Sequence, residues 1–245
     1  MAIVRRLEDG KPFQMGRGNS RRVIDGEIGA KNITMNYSIF QPGHEFPQHV
    51  HDGSADIFIV LEGGVSVREG DRYTPIRAGD LAYIPAGEVH GTVNQTDAVA
   101  VLISFQSPPD DALYRGERDS SHRGDAPKPA KGQASHVVIR QLRSGETPAH
   151  GGVSAWAPIS PVIGAGDEAI DYIELEPGAT FSVPASKQAE SVWFVWSGEA
   201  TFAAAGETLL VGEMAVAFVP EGEAATITNS GISLTRLIRC FAPPE

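Results

Sequence analysis

An all-β chain made of two similar modules is what this sequence predicts, and three observations carry the expectation. The 245 residues hold 27 glycines and 17 prolines, enough to turn the chain often. Short extended runs follow one another in the first half, and no window there keeps a 3.6-residue apolar period over three turns. The second half then repeats the turns of the first at a constant offset.

The elements fall in order. Ile3-Val4-Arg5-Arg6-Leu7 opens as a short strand, and a polar stretch with Arg17, Arg21 and Arg22 follows. Ile33 to Phe40 alternates as an extended segment and closes on Gln41-Pro42-Gly43. Strands are then expected at Glu45–His51, Asp56–Leu61, Val65–Glu69, Asp80–Ile84, His90–Asn94 and Ala98–Phe105. Gly63-Gly64, Gly70-Asp71, Pro85-Ala86-Gly87 and Gln95-Thr96-Asp97 break them. Residues 107–135 are polar, charged and rich in proline and glycine, so they read as a linker or surface wrap in which Ala112-Leu113-Tyr114 docks and His122 is solvated. Val138-Ile139-Arg140-Gln141-Leu142 then echoes the opening strand 135 residues earlier. The same offset carries Gly10 to Gly145, Gly16 to Gly151, Pro42-Gly43 to Pro177-Gly178, Gly63 to Gly198, Pro85 to Pro220, Gly87 to Gly222 and Asn94 to Asn229. Glycine and proline set backbone geometry, so matches concentrated there mean recurring turns. The expected units are 1–106, the linker 107–135, and 136–245.

Composition excludes several function classes. Hydrophobic residues make up 41% and charged residues 21%, as in a globular protein able to bury a core. The net charge of −11 argues against nucleic acid or an anionic membrane surface as partner. Cys240 stands alone and reads as a small buried hydrophobe. The first residues lack the apolar core of a signal peptide, and no apolar run approaches the ~20 residues that cross a bilayer, so a cytoplasmic location is expected.

The chemistry lies in Gly43–Gly63 and Gly79–Asn94. His49 and His51, two apart on an extended segment, point the same way. Asp56 follows beyond a Gly-Ser turn and can swing back beside them, and His90 waits downstream. Neutral imidazoles with one carboxylate suit iron, manganese, nickel, copper or zinc, and leave up to two positions of an octahedron open. Water, dioxygen or a chelating substrate would bind there. Gln48 faces away by parity, His44 is expected to be solvated, and Glu62 falls at a strand end. Tyr37, Phe58 and Tyr83 are candidate pocket walls by strand position.

These residues resemble the cupin superfamily, and the whole chain looks like a bicupin. Gly43, His49, His51, Asp56 and Gly63 keep the spacing of the first cupin motif, with Asp in the slot of its Glu. Gly79, Pro85, Gly87, His90 and Asn94 match the second motif in full. The resemblance implies two double-stranded β-helix, jelly-roll-like barrels, with a metal held by His49, His51, the motif carboxylate and His90. Asp56 is one methylene shorter than Glu. It ligates if the backbone comes closer, or else acts through a water, leaving a three-histidine site with Asp56 behind it.

The second barrel is the degenerate copy. At the offset of 135, His49, His51, Asp56 and His90 become Pro184, Ser186, Ser191 and Ala225. Glu190 fits the carboxylate slot only under the shorter spacing and has no imidazole partners, while Trp156, Trp193 and Trp196 are expected to pack. Chemistry is therefore expected in the first barrel alone. The leading expectation is a dioxygenase of the Fe(II) type acting on a small diketone-like or phenolic chelator, with Asp56 completing the shell or taking a substrate proton. A redox-neutral isomerase, lyase or hydrolase, and a binding module without turnover, are the alternatives. Self-association, most simply as a homodimer, would cover sheet edges.

Overall fold

The computed structural model describes residues 2–15, 17–51, 53–110, 135–204 and 206–244. The expected docking element Ala112-Leu113-Tyr114 and His122 lie outside them. No α-helix occurs among the described residues, which form 22 strands. The first half contributes β1 (Ile3–Arg6), β2 (Lys11–Met15), β3 (Gly18–Ile24), β4 (Thr34–Phe40), β5 (Glu45–His49), β6 (Ala55–Glu62), β7 (Gly64–Glu69), β8 (Arg72–Arg77), β9 (Asp80–Ile84), β10 (His90–Val93) and β11 (Ala100–Ser107). The second contributes β12 (Val138–Gln141), β13 (Glu146–His150), β14 (Val153–Ile159), β15 (Ala169–Leu175), β16 (Thr180–Val183), β17 (Glu190–Ser197), β18 (Glu199–Ala204), β19 (Glu207–Gly212), β20 (Ala215–Val219), β21 (Ala225–Asn229) and β22 (Thr235–Ala242).

Each half closes a seven-stranded sheet over a four-stranded one. The order is β12-β9-β6-β11-β4-β3-β2 over β5-β10-β7-β8 in the first barrel, and β1-β20-β17-β22-β15-β14-β13 over β16-β21-β18-β19 in the second. All pairings are antiparallel. The first strand of each half lies in the sheet of the other: Ile3 pairs with Phe218 on β20, and Val138 pairs with Tyr83 on β9. This reciprocal exchange gives β9 and β20, which would otherwise be sheet edges, a second partner.

Three apolar cores follow from strand parity. On β6, Phe58 and Val60 point into the first barrel, while Ile57, Ile59 and Leu61 point out of it. On β17, Trp193 and Val195 fill the second barrel, while Val192 and Phe194 point out. The outward faces meet in one core shared by the two barrels. Strands buried on both faces read as unbroken apolar runs, which is why β6 and β17 show no alternation. Gly63 takes φ +69°, and a Cβ there would lie 2.3 Å from the Val99 carbonyl oxygen. Gly198, its counterpart, takes φ +83° and is crowded by Thr235. The repeated glycines are therefore backbone requirements of the repeated turn.

Glu190 stands beside the slot held by Asp56 in the first barrel, but parity turns its carboxylate outward. It accepts backbone N–H groups of Lys31, Asn32 and Ile33 at 2.7–3.0 Å, tying the loop before β4 to the second barrel. Its side chain is bound to the other module, not poised as a ligand. Glu190→Ala leaves these donors, the buried Ile33 N–H among them, without their acceptor and is expected to lower stability by about 2 kcal/mol. Urea unfolding checks this; an unchanged midpoint would remove the loop contact from the account.

Candidate metal centre in the first barrel

The antiparallel register brings His90 on β10 directly opposite His49 on β5. His51, just past β5, is fixed because its carbonyl accepts the Gly87 N–H at 2.8 Å, so the Pro85-Ala86-Gly87 turn holds the histidine segment. Asp56 reaches the same point from β6 in the facing sheet. One ligand atom from each of His49, His51, Asp56 and His90 lies within 4.8 Å of all the others. Their exposures are 3%, 4%, 6% and 1%, so the cluster is shielded from bulk water.

Each imidazole is oriented by a partner at Nδ1. His49 Nδ1 lies 2.9 Å from the Pro47 carbonyl, His90 Nδ1 lies 3.0 Å from the Glu88 carbonyl, and His51 Nδ1 lies 3.1 Å from Asp110 Oδ2. Oxygen acceptors there hold a proton on Nδ1 and turn Nε2 toward the cluster, as the nitrogen that a metal would take. His49 Nε2 and His51 Nε2 are 3.1 Å apart, and Asp56 Oδ2 is 3.3 Å from His51 Nε2 and 3.4 Å from His90 Nε2. His90 Nε2 is buried without a hydrogen-bond partner. Adjacent ligands about 2.1 Å from a common ion sit about 3 Å apart, so these separations fit a divalent transition metal with small adjustment.

The electrostatics agree. Burial, then the neighbouring His90 and His51, push His49 well below its ordinary 6.5, which keeps it neutral and able to ligate. Burial alone would raise Asp56, but the imidazoles of His51 and His90 outweigh it and hold the carboxyl well below the usual range. Asp56 is ionised, and its shorter side chain does reach the cluster.

A polar wall adjoins the ligands. Directly paired residues share a sheet face, which sets Gln106 and then Thr34 beside Asp56, and Ser104 and then Asn36 beside Phe58. Asn36 Nδ2 donates to Ser104 Oγ at 3.4 Å, whereas Thr34 Oγ1, Asn36 Oδ1 and Thr92 Oγ1 are buried without partners. Phe58 lines the interior, with its ring 5.7 Å from that of His90. Tyr83 and Tyr37 do not. The partner of Asp56 on β9 is Ile84, so Tyr83 falls on the opposite face and joins the core between the barrels, where Tyr37 also packs. Gln48 turns away as expected and accepts the Gly70 N–H, Glu62 is exposed at the end of its strand, and His44 is half-buried rather than solvated. Asp110 was hidden from sequence reasoning because it sits in the polar segment expected to be linker; Gln106 Oε1 holds its N–H at 3.1 Å.

Comparison with known proteins places this geometry. Residues 36–105 match the Cupin domain family, which spans both ligand motifs. The chain is 30% identical over 112 residues to the dimethylsulfoniopropionate lyase DddW of Ruegeria pomeroyi, a match covering 44% of this chain and 72% of that protein. The chain belongs to the cupin superfamily. As a bicupin it superposes along 99% of its length on the oxalate decarboxylase of Lactobacillus farciminis, with a TM-score of 0.75 over 86% of that chain at 14% identity. The Bacillus subtilis oxalate decarboxylase, whose Mn(II) centres have been characterised, gives 0.72 over 78% of its chain at 15% identity. At such identities the likeness is one of fold.

This cupin's second barrel keeps the architecture without the ligands. Trp193, at the position of Phe58, is fully buried and donates to Ser191 Oγ, which stands at the position of Asp56. Phe181 and Phe202 pack edge-on against it. Cys240 is buried, as expected, with its thiol 3.6 Å from Glu168 Oε2. No helix among the described residues is long and apolar enough to cross a membrane.

Two outcomes are expected. Asp110→Ala frees the His51 ring and should weaken metal binding about 10-fold or more without unfolding the chain, measured by competitive metal titration with circular dichroism as control. In metal-free protein, unfolded His49 takes up a proton near its ordinary 6.5 while folded His49 resists it. Stability should therefore be full above that pH and fall as the pH drops through it, by at most about 1.4 kcal/mol per unit from this residue. Urea midpoints across that window, in wild type and His49→Gln, check the sign; a midpoint that rises on acidification in the wild type alone would overturn it.

Proposed function

We propose that this bicupin is a metal-dependent lyase acting on a small carboxylate-bearing substrate inside the first barrel. The observation that carries the reading is the buried convergence of three Nδ1-anchored imidazoles and one ionised carboxylate beside a wall of uncharged polar side chains. His49, His51 and His90 would hold the ion through Nε2, with Asp56 as the anionic ligand. Held well below the usual carboxylate range, Asp56 is a poor proton acceptor and serves better as a ligand than as a base. Three neutral donors and one negative charge leave a divalent centre with one net positive charge, which suits an anionic substrate.

When bound, the metal would act as a Lewis acid, drawing electron density from a substrate carboxylate so that a neighbouring bond breaks more readily. The residues around it do the rest. Gln106, Thr34, Ser104 and Asn36 offer hydrogen bonds that orient the substrate, and Phe58, beside Ser104 on the same face and next to His90, keeps water from that side of the site. Support for the substrate class comes from the relatives, because the dimethylsulfoniopropionate lyase and the oxalate decarboxylases both take small carboxylates by name. Iron is the expected metal, with manganese, nickel, zinc and copper as rivals for the same donors.

An oxygenase acting on a diketone-like or phenolic chelator is the competing reading, supported by the same donor set and its open positions. Oxygen dependence separates the two. Protein with its metal defined by elemental analysis should turn over small carboxylates at equal rates with and without oxygen, and His49→Ala/His51→Ala should lose both metal and turnover. Turnover that requires oxygen and consumes it stoichiometrically would sink the lyase reading. Full metal content in the double variant would sink the site itself.

A further inference from the structure

Away from the metal ligands, a cavity of about 460 Å³ opens between the two barrels. Its walls include Trp196 and Tyr172, and Arg77, Arg143 and Arg236 line it as well. Trp196 meets Tyr172 at a ring separation of 6.3 Å with the planes 63° apart. Glu174 fixes two of the guanidinium groups: it lies 2.5 Å from Arg143 Nη2 and 3.4 Å from Arg236 Nε, and accepts the Tyr172 hydroxyl at 2.8 Å. Arg236 Nη1 also donates to Ser197 Oγ at 3.2 Å. Arg77 has no ion-pair partner among the described residues. The nearby Asp80 carboxylate accepts the backbone N–H of Arg77 instead. Three cations against two carboxylates leave this cleft positive on a chain of net charge −11.

The duplication supplies an internal control. At the offset of 135, Arg77, Arg143, Arg236 and Trp196 correspond to Gly212, Glu8, Val101 and Leu61, while Tyr172 corresponds to Tyr37. Around Tyr37 acidic neighbours outweigh the basic one, with Glu8 and Glu62 adding to burial in raising its hydroxyl against Arg21. The tyrosine survives in both copies and suits the shared core. The arginines and the tryptophan do not survive, so the fold does not require them. Their convergence needs another explanation.

We infer that the cleft binds a small planar organic anion, with its carboxylate on Arg77 beside the fixed Arg143 and Arg236 and its flat body against Trp196. The volume falls within the range of small-molecule sites. Guanidinium groups match a carboxylate through paired N–H donors, and an aromatic wall takes the apolar face. This site is separate from the metal centre and does not depend on its chemistry.

Benzoate is the probe, with benzamidine as the cation of the same shape. In the full chain, calorimetry and tryptophan fluorescence should show benzoate binding that weakens with added salt, and benzamidine should bind at least about tenfold more weakly. Arg77→Ala and Arg77→Gln, at an exposed position, should each weaken benzoate by about tenfold with unchanged circular dichroism. The His49→Ala/His51→Ala variant should bind it as wild type does, which separates this site from the metal centre. Equal binding of the two probes, no benzoate binding, unchanged affinity in both Arg77 variants, or loss of binding in the histidine variant would each overturn the inference.

Discussion

The exchange of first strands between the halves is the constraint from which the rest of the molecule follows. With β1 on β20 and β12 on β9, neither barrel has a complete large sheet from its own half. The exchange presses the two large sheets face to face and commits their outward side chains to one core. Ile57, Ile59, Ile103 and Phe105 from one sheet and Val192, Phe194, Phe218 and Ile238 from the other are almost fully withdrawn from water. Parity then leaves the alternate residues of the same strands to line the barrel interiors. Asp56 is an interior residue because Ile57 belongs to the shared core.

The duplication separates what the fold needs from what the chemistry needs. Asn94 donates to the carbonyls of Phe40 and Ala98, and Asn229 donates to those of Leu175 and Ser233, the same positions 135 residues on. The bond from Gly87 N–H to the His51 carbonyl recurs as Gly222 N–H to the Ser186 carbonyl. The backbone that presents His51 therefore survives where the imidazole has become serine. In the second barrel the space opposite is filled by Trp193, whose ring buries more apolar surface than the Phe58 it replaces. A copy relieved of ligands has been packed as a core.

The sequence disclosed the fold and the convergence of four side chains because both rest on local rules. Turn glycines and prolines mark the strand ends, and His49, His51, Asp56 and His90 stand at fixed distances from them. Facing was harder to read. Tyr83 was expected in the pocket, yet β6 and β9 are buried on both sides, so composition does not tell the inner face from the outer one. Asp110 and Glu190 were illegible for a different reason. Asp110 lies 59 positions from the histidine it orients, and Glu190 lies 157 positions or more from the loop it ties down. Neither spacing follows from local pattern. The exchange of β1 and β12 was equally hidden, although the repeat of Ile3-Val4 at Val138-Ile139 marked both strands as equivalent.

The second barrel acts on the centre through contacts rather than ligands. Ser107, which ends β11, donates its hydroxyl to the Asp167 carbonyl at 3.0 Å, bringing the loop before β15 against the first barrel. The next residue, Glu168, is fully buried with Oε1 unpartnered, and burial followed by the charge of Asp56 pushes its carboxyl well above the usual range. Were Glu168 ionised, Asp56 would face a second negative charge in a buried setting. Held as the neutral acid, Glu168 packs closely without that repulsion. Asp56 is then the one carboxylate of the cluster, without a charged Glu168 carboxylate beside it. The surroundings of the cluster are in this way shaped by both barrels, although its four side chains come from one.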